Sequence, residues 1–331
     1  MKAKIAGTGS YLPQRVLTNA ELEKMVETSD EWIRQRVGIT SRHIATHHES
    51  NVFMSTQAAK KALDMANVSP EEIDLIIVAT STPDHAMPST ATEVQAQLGC
   101  HRAFCFDMSA ACSGFIYGMS VIQQFFATGA VKKALLIGSE RMSRVVDWSD
   151  RSTCVLFGDG AGACVFTVSP SESEGVLSVK VHADGREKEC LFISSHLSQE
   201  PGFESTESTE SLNFSNPHLK MEGPKVFKAA VNMLGEVALE VLEDQGLSAG
   251  DLDWLVPHQA NLRIILATAK KFNLPEEKVV LTLDQQGNTS AASVPMALDT
   301  AVRDGRVKPG DLLLLEAFGS GFVWGAALVR Y

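Results

Sequence analysis

The residue best suited to covalent chemistry is Cys112, within the segment CFDMSAACSGFIYGMSVIQQFF at 105–126. An apolar strand-like run ends there in a cluster of small residues, and a helical pattern begins just after the cysteine. A thiol at a helix N-terminus lies near free backbone N–H groups and the positive end of the helix dipole, which favour the thiolate. The pattern predicts a nucleophile, while the structural alternative is a cysteine buried in the core.

Two polar residues of the second half of the chain could join Cys112 in one pocket. His258 follows the apolar segment DWLVP, and Asn288 stands in QQGNTSAAS. Ligand sites of α/β proteins form where strands end, so both residues are candidates for the site. Each also has a structural interpretation, as a hydrogen-bonded histidine at a strand end and as the asparagine of a Gly-Asn turn. The segment EAFGSGF at 316–322 could bring backbone N–H groups close to a ligand or form an ordinary β-turn.

Strands and helices alternate through the first half of the chain. The pattern predicts strands at 3–8, 74–80, 103–108, 134–139 and 162–168, and helices at 19–35, 51–67, 89–98 and 113–128. Such alternation is typical of largely parallel sheets with helices on their faces.

The second half repeats this order. The segments that begin CFDMSAACSGF and LTLDQQGNTSAAS each predict a strand ending in Asp, a small-residue turn, a helix and a second strand. The same 27 positions separate Asp107 from Ala134 and Asp284 from Asp311. We therefore predict an internal duplication with a pseudo-twofold axis.

The predicted halves span residues 1–171 and 223–331, and a connecting segment at 172–222 joins them. Within this connection, residues 185–217 are rich in Ser, Glu, Thr and Pro and show little periodicity. Such an excursion is either a pocket wall or a solvent-exposed loop, and its STESTES stretch favours the exposed loop.

Composition excludes several classes of protein. The net charge of -11 over 331 residues argues against a nucleic-acid binder, which would carry a basic face. The six cysteines form no C-x-x-C pair, and the group Cys100, His101 and Cys105 lacks a second half, so we predict no metal site. Reduced thiols, an N-terminus without a signal-peptide pattern and the lack of a run of about 20 apolar residues predict a cytoplasmic protein outside the membrane.

Several segments together resemble the β-ketoacyl-acyl carrier protein synthase III enzymes. They are DMSAACSGF around Cys112, FGDGAGA at 157–163, HQAN at 258–261, GNTSAASVP at 287–295, FGSGFVWGAALVRY at the end, AGTGSYLP at 6–13 and DEWIRQRVGITSRHIA at 30–45. The resemblance covers nearly the whole chain and implies the thiolase-like duplicated α/β fold, layered α-β-α-β-α with two pseudo-twofold-related halves. The chain departs from the family at Ser320, where the usual turn is richer in glycine, and in the longer excursion at 185–217.

The reaction that this resemblance implies is a decarboxylating Claisen condensation at the start of type II fatty acid synthesis. An acetyl or other short acyl group would pass from coenzyme A to Cys112, and a malonyl group on acyl carrier protein would then attack it. His258 and Asn288 would stabilise the enolate, and the backbone N–H groups of Cys112 and Ser320 would form the oxyanion hole. No metal or cofactor is implied.

The resemblance also implies binding residues. Contacts to coenzyme A are expected from Thr28, Trp32, Arg36, Arg151, Phe227 and Asn261. Contacts to the acidic carrier protein are expected from Lys228, Gln259, Arg263, Lys270 and Lys271. The acyl pocket would be closed by Met142 and by Met87 of the partner subunit in a homodimer. A flexible Met87 in place of an aromatic ring favours room for more than a two-carbon acyl group.

Other functions use the same residue types. A Cys-His-Asn hydrolase would use the histidine as a base for the thiol. A related condensing enzyme could take a different acceptor, such as malonyl-coenzyme A, or a longer starter. A non-catalytic scaffold is disfavoured because it would have little reason to keep Cys112, His258 and Asn288 together.

Overall fold

The computed structural model describes residues 1–194 and 218–331. Most of the predicted excursion at 185–217 lies outside the described residues. Elements of the first half are β1 (Ala3–Tyr11), β2 (Arg15–Thr18), α1 (Asn19–Leu22), α2 (Asp30–Val37), β3 (Ser41–Ile44), α3 (Asn51–Ala66), β4 (Leu75–Ala79), α4 (Thr90–Leu98), β5 (Phe104–Met108), α5 (Gly114–Ala127), β6 (Lys133–Arg141), α6 (Arg151–Cys154) and β7 (Asp159–Val168).

The described part of the second half also consists of strands and helices. They are β8 (Gly175–Ala183), β9 (Leu191–Phe192), β10 (Lys220–Met221), α7 (Gly223–Glu243), β11 (Trp254–Pro257), α8 (Leu262–Lys271), α9 (Leu283–Gln286), α10 (Ser293–Arg303), β12 (Leu312–Gly319) and β13 (Val323–Arg330). None of the described helices is long and apolar enough to cross a membrane.

Sheet order confirms the predicted duplication. The first sheet has the order β1-β7-β6-β4-β5, and the second has the order β8-β13-β12-β11. Leu255 of β11 adds a parallel bridge to Val279, where a fifth strand would lie. Because β8 begins at Gly175, the second sheet starts inside the segment 172–222 that we had assigned to the connection.

Three apolar clusters define five layers. The central cluster packs α5 and α10 between the two sheets, with contributions such as Phe115, Leu136 and Leu298. One outer cluster packs α3 and α4 on the first sheet, and the other packs α7 and α8 on the second sheet. The layers are therefore α-β-α-β-α, as predicted, and α5 and α10 lie between the sheets where their N-termini can meet.

The structure corrects three predicted elements. The sheets are mixed, because β1, β6 and β7 pair antiparallel in the first and β8, β12 and β13 pair antiparallel in the second. The helix predicted at 19–35 is two helices, since the Ser29 side chain caps a new one by accepting from Trp32 N. Asp284 lies in the one-turn helix α9 and not at a strand end, because the fifth strand of the second sheet shrinks to the bridge at Val279.

Small residues let α5 lie close to the first sheet. A Cβ on Gly118 would come within 2.4 Å of Leu136 Cδ1, and one on Gly114 within 2.9 Å of Ala79 Cβ. Larger side chains there would push the helix outward, and Cys112, at its N-terminal end, would move with it. The glycines of CSGFIYGM therefore set the position of the cysteine relative to the sheet.

Candidate active site

Cys112 lies in a single 3₁₀ turn, Ala111–Ser113, that leads directly into α5. Ala111 has φ of 43°, a left-handed conformation that costs a non-glycine residue free energy and is typical of functional turns. The turn places the thiol in the wall of a cavity of about 740 Å³. The predicted placement of Cys112 at the start of a helix is confirmed.

The thiol is protonated in this resting site. Burial raises the pKa of Cys112 to about 12, and the negative charge of Glu140 acts in the same direction. A hydrogen bond with Ser290, whose Oγ lies 3.4 Å from Sγ, opposes both effects but is weaker than the loss of hydration. Burial therefore opposes the thiolate that the helix start was expected to favour, and the thiol must lose its proton before the sulfur attacks.

Asn288 is held by backbone pairing with the FGDG segment. Its N–H donates to Leu156 O at 2.9 Å, and its carbonyl accepts from Gly158 N at 3.0 Å. Its side-chain Oδ1 accepts from the N–H of Ser290 at 2.9 Å, so Nδ2 is the atom that can donate to a ligand. The side chain is 5 % exposed and hence fixed in direction.

His258 is fixed by the same stretch of chain. Its Nδ1 lies 2.6 Å from Ser293 Oγ, and Ser293 Oγ also accepts from the N–H of Gln259 at 3.3 Å. Within the described residues Nδ1 is the acceptor for the Ser293 hydroxyl proton, so we assign the proton of the neutral ring to Nε2. Burial lowers the pKa of His258 to about 4, which keeps the ring neutral at pH 7.

The turn after β12 approaches the cysteine backbone. A Cβ on Gly319 would lie 2.7 Å from Cys112 N, so only glycine fits this contact. Ser320, which follows it, lines the cavity and donates its hydroxyl to Leu191 O. The hydroxyl of the serine that departs from the family turn is therefore bonded to a backbone carbonyl, and the residue lies in the wall of the cavity that contains Cys112.

The cavity beside Cys112 has a largely apolar wall. Its lining includes Met142, Val145, Phe157, Leu191 and Leu219. Met142 was predicted there, and it is 3 % exposed. Met87 is 84 % exposed and is not among the described lining residues of its own chain.

The residues expected to bind coenzyme A form two groups near α2, α6 and α8. The Arg151 guanidinium lies 4.9 Å from the centroid of the Trp32 ring, and the Arg36 guanidinium lies 6.0 Å from it. Thr28 contributes a buried Oγ1 that has no hydrogen-bond partner within the described residues. In the second group, Arg263 lies 5.7 Å from the Phe227 ring, and Asn261 caps α8 by accepting from Arg263 N.

The residues expected to contact the carrier protein divide by exposure. Lys228, Arg263, Lys270 and Lys271 are exposed on α7 and α8, and Lys271 donates to Asn232 Oδ1 at 2.8 Å. Gln259 is 1 % exposed; its Nε2 donates to the carbonyls of Pro257 and Val280, and its Oε1 accepts from Thr282 N and Leu283 N. The prediction for Gln259 is therefore wrong, because its buried amide binds backbone groups of this chain and is not exposed to a partner.

Sequence reasoning missed four polar residues around the site. Ser290 contacts the sulfur, Ser293 orients the histidine, and Glu140 and Glu316 are fully buried carboxyl groups. The two serines belong to the motif GNTSAASVP, in which only the asparagine was predicted to be functional. The glutamates lie within the apolar strands β6 and β12, and a carboxylate in such a run is the signal that could have found them.

This arrangement defines a class of protein. A duplicated five-layer fold, a cysteine at the start of one central helix, and a histidine and an asparagine beside the start of the other are the features of a thiolase-like acyltransferase. The chain belongs to the β-ketoacyl-[acyl-carrier-protein] synthase III family.

Comparisons with known proteins carry this assignment. Residues 106–185 match the family model for 3-oxoacyl-[acyl-carrier-protein (ACP)] synthase III, and residues 242–331 match the model for its C-terminal part. The chain is 54 % identical to β-ketoacyl-[acyl-carrier-protein] synthase III of Alkalilimnicola ehrlichii over 330 residues, with 99 % of each chain covered.

Solved structures agree over the full length. The crystal structure of 3-oxoacyl-[acyl-carrier-protein] synthase III from Aquifex aeolicus is 49 % identical with a TM-score of 0.91, covering 99 % of this chain and 100 % of that one. The priming β-ketosynthase of the R1128 polyketide biosynthetic pathway is 38 % identical with a TM-score of 0.91, covering 99 % and 96 %. This chain is thus an acyltransferase.

Proposed function

We propose that the protein condenses an acyl-coenzyme A starter with malonyl-acyl carrier protein to give 3-oxoacyl-acyl carrier protein, carbon dioxide and coenzyme A. The observation that carries this is the 288–293 turn, which contacts the Cys112 sulfur through Ser290 and fixes Asn288 and His258 in orientations that leave one donor nitrogen on each. A nucleophile in contact with the turn that fixes two donor side chains suits acyl transfer followed by enolate formation.

The donors are suited to the decarboxylation step. Loss of carbon dioxide from the malonyl group leaves negative charge on the thioester oxygen, and Asn288 Nδ2 and His258 Nε2 would donate to it. A neutral histidine is the right form, because it binds the enolate without protonating its carbon. The backbone N–H groups of Cys112 and Ser320 would hold the oxygen of the tetrahedral intermediates.

Labelled acetyl-coenzyme A tests the nucleophile. We expect wild-type protein to become covalently labelled, and subsequent malonyl-acyl carrier protein to remove the label as 3-oxoacyl product. Cys112→Ala should bind coenzyme A without labelling, whereas Cys105→Ala, which removes another partly exposed free thiol, should label normally. Covalent labelling of the Cys112 variant at the wild-type rate would refute the assignment, and release of free acid without condensation would favour a hydrolase.

The starter and acceptor need a second measurement. A cavity of about 740 Å³ beside Cys112 supports acyl chains longer than acetyl. The similarity to a polyketide priming enzyme supports a second candidate, a condensing enzyme with a different acceptor or a longer starter. Condensation rates over a series of acyl-coenzyme A starters, each with malonyl-acyl carrier protein and with malonyl-coenzyme A, separate the two.

Two basic surfaces are proposed for the substrates. Stacking of the adenine against Trp32 and Arg151, with phosphate contacts from Arg36, is supported by the proximity of these three side chains. Phe227, Asn261 and Thr28 would contact the rest of coenzyme A. The exposed Lys228, Arg263, Lys270 and Lys271 would bind the acidic carrier protein, since the chain as a whole is negative and needs a local basic patch.

We propose a homodimer formed along β5. This strand lies at the edge of the first sheet, with β4 as its only described neighbour, and its first residue, Phe104, is 47 % exposed. Edge strands are usually covered, and two copies of β5 could pair with each other. The exposed Met87, which precedes α4, would then reach the acyl cavity of the partner.

A cytoplasmic location without a bound metal or cofactor completes the proposal. The six cysteines are all free, and Cys100, Cys154, Cys164 and Cys190 are buried, which suits a reducing compartment.

A further inference from the structure

Ser290 lies between the reactive sulfur and a buried carboxyl group. Its Oγ is 3.4 Å from Cys112 Sγ and 3.1 Å from Glu140 Oε1. Ser290 is 3 % exposed and Glu140 is fully buried. The three side chains therefore form a continuous hydrogen-bonded path from the cysteine into the first sheet.

The Glu140 carboxyl group accepts hydrogen bonds from several neighbouring donors. It accepts from the N–H of Ser81 and from the hydroxyls of Thr80 and Thr82. Those hydroxyl protons are committed to Glu140, because Thr80 Oγ1 itself accepts from Asn51 Nδ2 and Thr82 N, and Thr82 Oγ1 accepts from Arg141 N. With Ser290 as the fourth donor, the site is built to hold a carboxylate.

The hydroxyl of Ser290 has a single proton, which fixes the direction of the path. Ser290 Oγ is placed to donate to either Cys112 Sγ or Glu140 Oε1, and its one proton can serve only one of them at a time. When that proton goes to the Glu140 carboxylate, an Oγ lone pair is free to accept from the Cys112 S–H group. A proton leaving the sulfur can then move to Ser290 while the Ser290 proton moves to Glu140.

Charged groups near Glu140 do not neutralise it. Arg141, next along β6, turns its guanidinium to Asp84 at 3.5 Å. Asp159, opposite Arg141 on β7, bonds to Ser143 and to the N–H of Ala45. In the 3₁₀ turn at 111–113, the titratable neighbour of Glu140 is Cys112. The segment at 80–82 and the turn at 290–292 place only hydroxyl and N–H groups near Glu140. Burial raises the pKa of Glu140 to about 7, so it can exchange a proton at working pH.

His258 is poorly placed to accept the proton. In the tautomer assigned above, Nδ1 accepts from Ser293 and Nε2 carries the ring proton, so neither nitrogen offers a lone pair to the thiol. A pKa of about 4 makes a protonated ring unfavourable as well. Another acceptor is needed, because the resting Cys112 is a thiol.

We propose that Ser290 and Glu140 form a proton relay that activates Cys112 for attack on the acyl-coenzyme A thioester. Ser290 touches the reacting sulfur and is the catalytic residue, while Glu140 acts through it. As the S–C bond to the acyl carbon forms, the Cys112 S–H bond breaks, Ser290 takes that proton, and its own moves to Glu140. When the bond to coenzyme A breaks, the leaving thiolate takes a proton from Ser290 and Ser290 regains one from Glu140, which gives coenzyme A thiol and restores the carboxylate.

The relay rests on the proposed acyl transfer, and the pH dependence of the acylation step tests it. Single-turnover release of coenzyme A from acetyl-coenzyme A is measured between pH 5.5 and 8.5. In wild-type protein the rate should rise with pH to a plateau, with an inflection near pH 7, because the relay needs the Glu140 carboxylate. Glu140→Gln and Ser290→Ala should each slow acylation on the order of 10²-fold and remove the inflection.

Two further variants separate the relay from a purely structural role. Glu140→Asp retains a carboxylate and should keep a pH inflection. Thr80→Val removes one donor to the carboxylate and leaves the path from Cys112 intact, so it should move the inflection to higher pH without abolishing it. Thermal melts identify variants that do not fold, and the Thr80 and Asp variants still decide the question if Glu140→Gln is among them.

The outcomes are distinguishable. A Glu140→Gln protein that folds and acylates at the wild-type rate with the wild-type pH profile would overturn the relay while leaving the condensing function intact. An inflection that stays in place in Thr80→Val would also count against it. If wild-type protein forms no acyl-enzyme at all, the proposed function itself fails.

Discussion

At the scale of single residues, the site depends on polar side chains that hydrogen bonds hold in one orientation. Asn288 Oδ1 is occupied by Ser290 N, and His258 Nδ1 by Ser293, so each side chain has one nitrogen left that can donate to a ligand. Such donors lower the barrier because they need not reorient as charge develops. The residues that do this fixing are two serines of the same turn.

The role of Asn288 predicts a separation of the two half-reactions. Asn288→Ala and Asn288→Asp should retain acylation by acetyl-coenzyme A and lose condensation by about 10² to 10³-fold, because each removes the enolate donor. The Asp variant keeps an acceptor for Ser290 N, so it controls for movement of the turn. The measurement is single-turnover acylation beside steady-state condensation, and equal loss of both would contradict the assignment.

Glu316 is, like Glu140, a fully buried carboxyl group. It lies on β12 between Leu314 and Phe318, whose side chains belong to an apolar cluster, and neither of its oxygens has a hydrogen-bond partner within the described residues. Burial raises the pKa of Glu316 from its ordinary value of 4.5 to about 8. The folded protein therefore holds a proton that the unfolded chain releases at neutral pH.

This buried acid predicts a pH-dependent stability. Between pH 4.5 and 8, unfolding releases the Glu316 proton, so its contribution to the free energy of unfolding falls as pH rises, by about 1.4 kcal/mol per unit. Glu316→Gln has no such proton and should lose less stability over this range than wild-type protein. Urea midpoints at pH 5, 6, 7 and 8 measure the difference, and parallel curves would show that Glu316 ionises normally.

At the scale of elements, the site forms where the N-terminal ends of two helices and the end of one strand lie close together. The turn at 111–113 precedes α5, the turn at 290–292 precedes α10, and β12 ends at Gly319 beside Cys112. Close backbone approach is possible only because glycines stand at these contacts. The elements thereby bring a reactive group from one half to its partners from the other.

Gly319 offers a test of this backbone contact. In Gly319→Ala the new Cβ would lie 2.7 Å from Cys112 N, so the turn must shift, with a cost of about 1–3 kcal/mol in stability. Acylation should slow on the order of 10²-fold because the sulfur is misplaced. Gly185→Ala is the matched control, since nothing lies within 4 Å of its Cβ position. Normal acylation in the Gly319 variant would show that the contact is not restrictive.

At the scale of the whole molecule, the first sheet has an open edge at β5 and an exposed Met87. The proposed second copy of the chain would account for both features. Pairing of β5 with its copy would continue the sheet across a twofold axis and remove an exposed strand edge. The acyl cavity would then be shared between two subunits.

The dimer predicts a specific effect of a charge on this edge. Phe104→Asp should shift the protein from a dimer toward the 35.8 kDa monomer, because two like charges would face each other across the axis. Leu239→Asp is the matched control, since Leu239 on α7 is also 47 % exposed but lies far along the chain from β5. Light scattering over a concentration series gives the masses. An unchanged mass for Phe104→Asp would place the interface elsewhere.

Much of the fold was predictable because local sequence patterns indicate its elements and because these patterns occur in both halves of the chain. Apolar strands, small-residue turns and the equal 27-residue spacings predicted the duplication, the family resemblance implied the layers, and the motif around Cys112 predicted a thiol at the start of a helix. Strand direction was not predictable, because a mixed sheet and a parallel sheet bury the same apolar residues. The break in the helix predicted at 19–35 depends on one capping serine, which periodicity alone does not detect.

The sequence by itself predicted Cys112, His258 and Asn288 as candidate site residues, since each stands in a recognisable local pattern. Only the tertiary structure decided their chemical states. Hydration lost by burial raises the pKa of Cys112, lowers that of His258 and raises that of Glu140 to about 7. These states depend on which groups surround each side chain after distant segments have packed, and no local pattern encodes that.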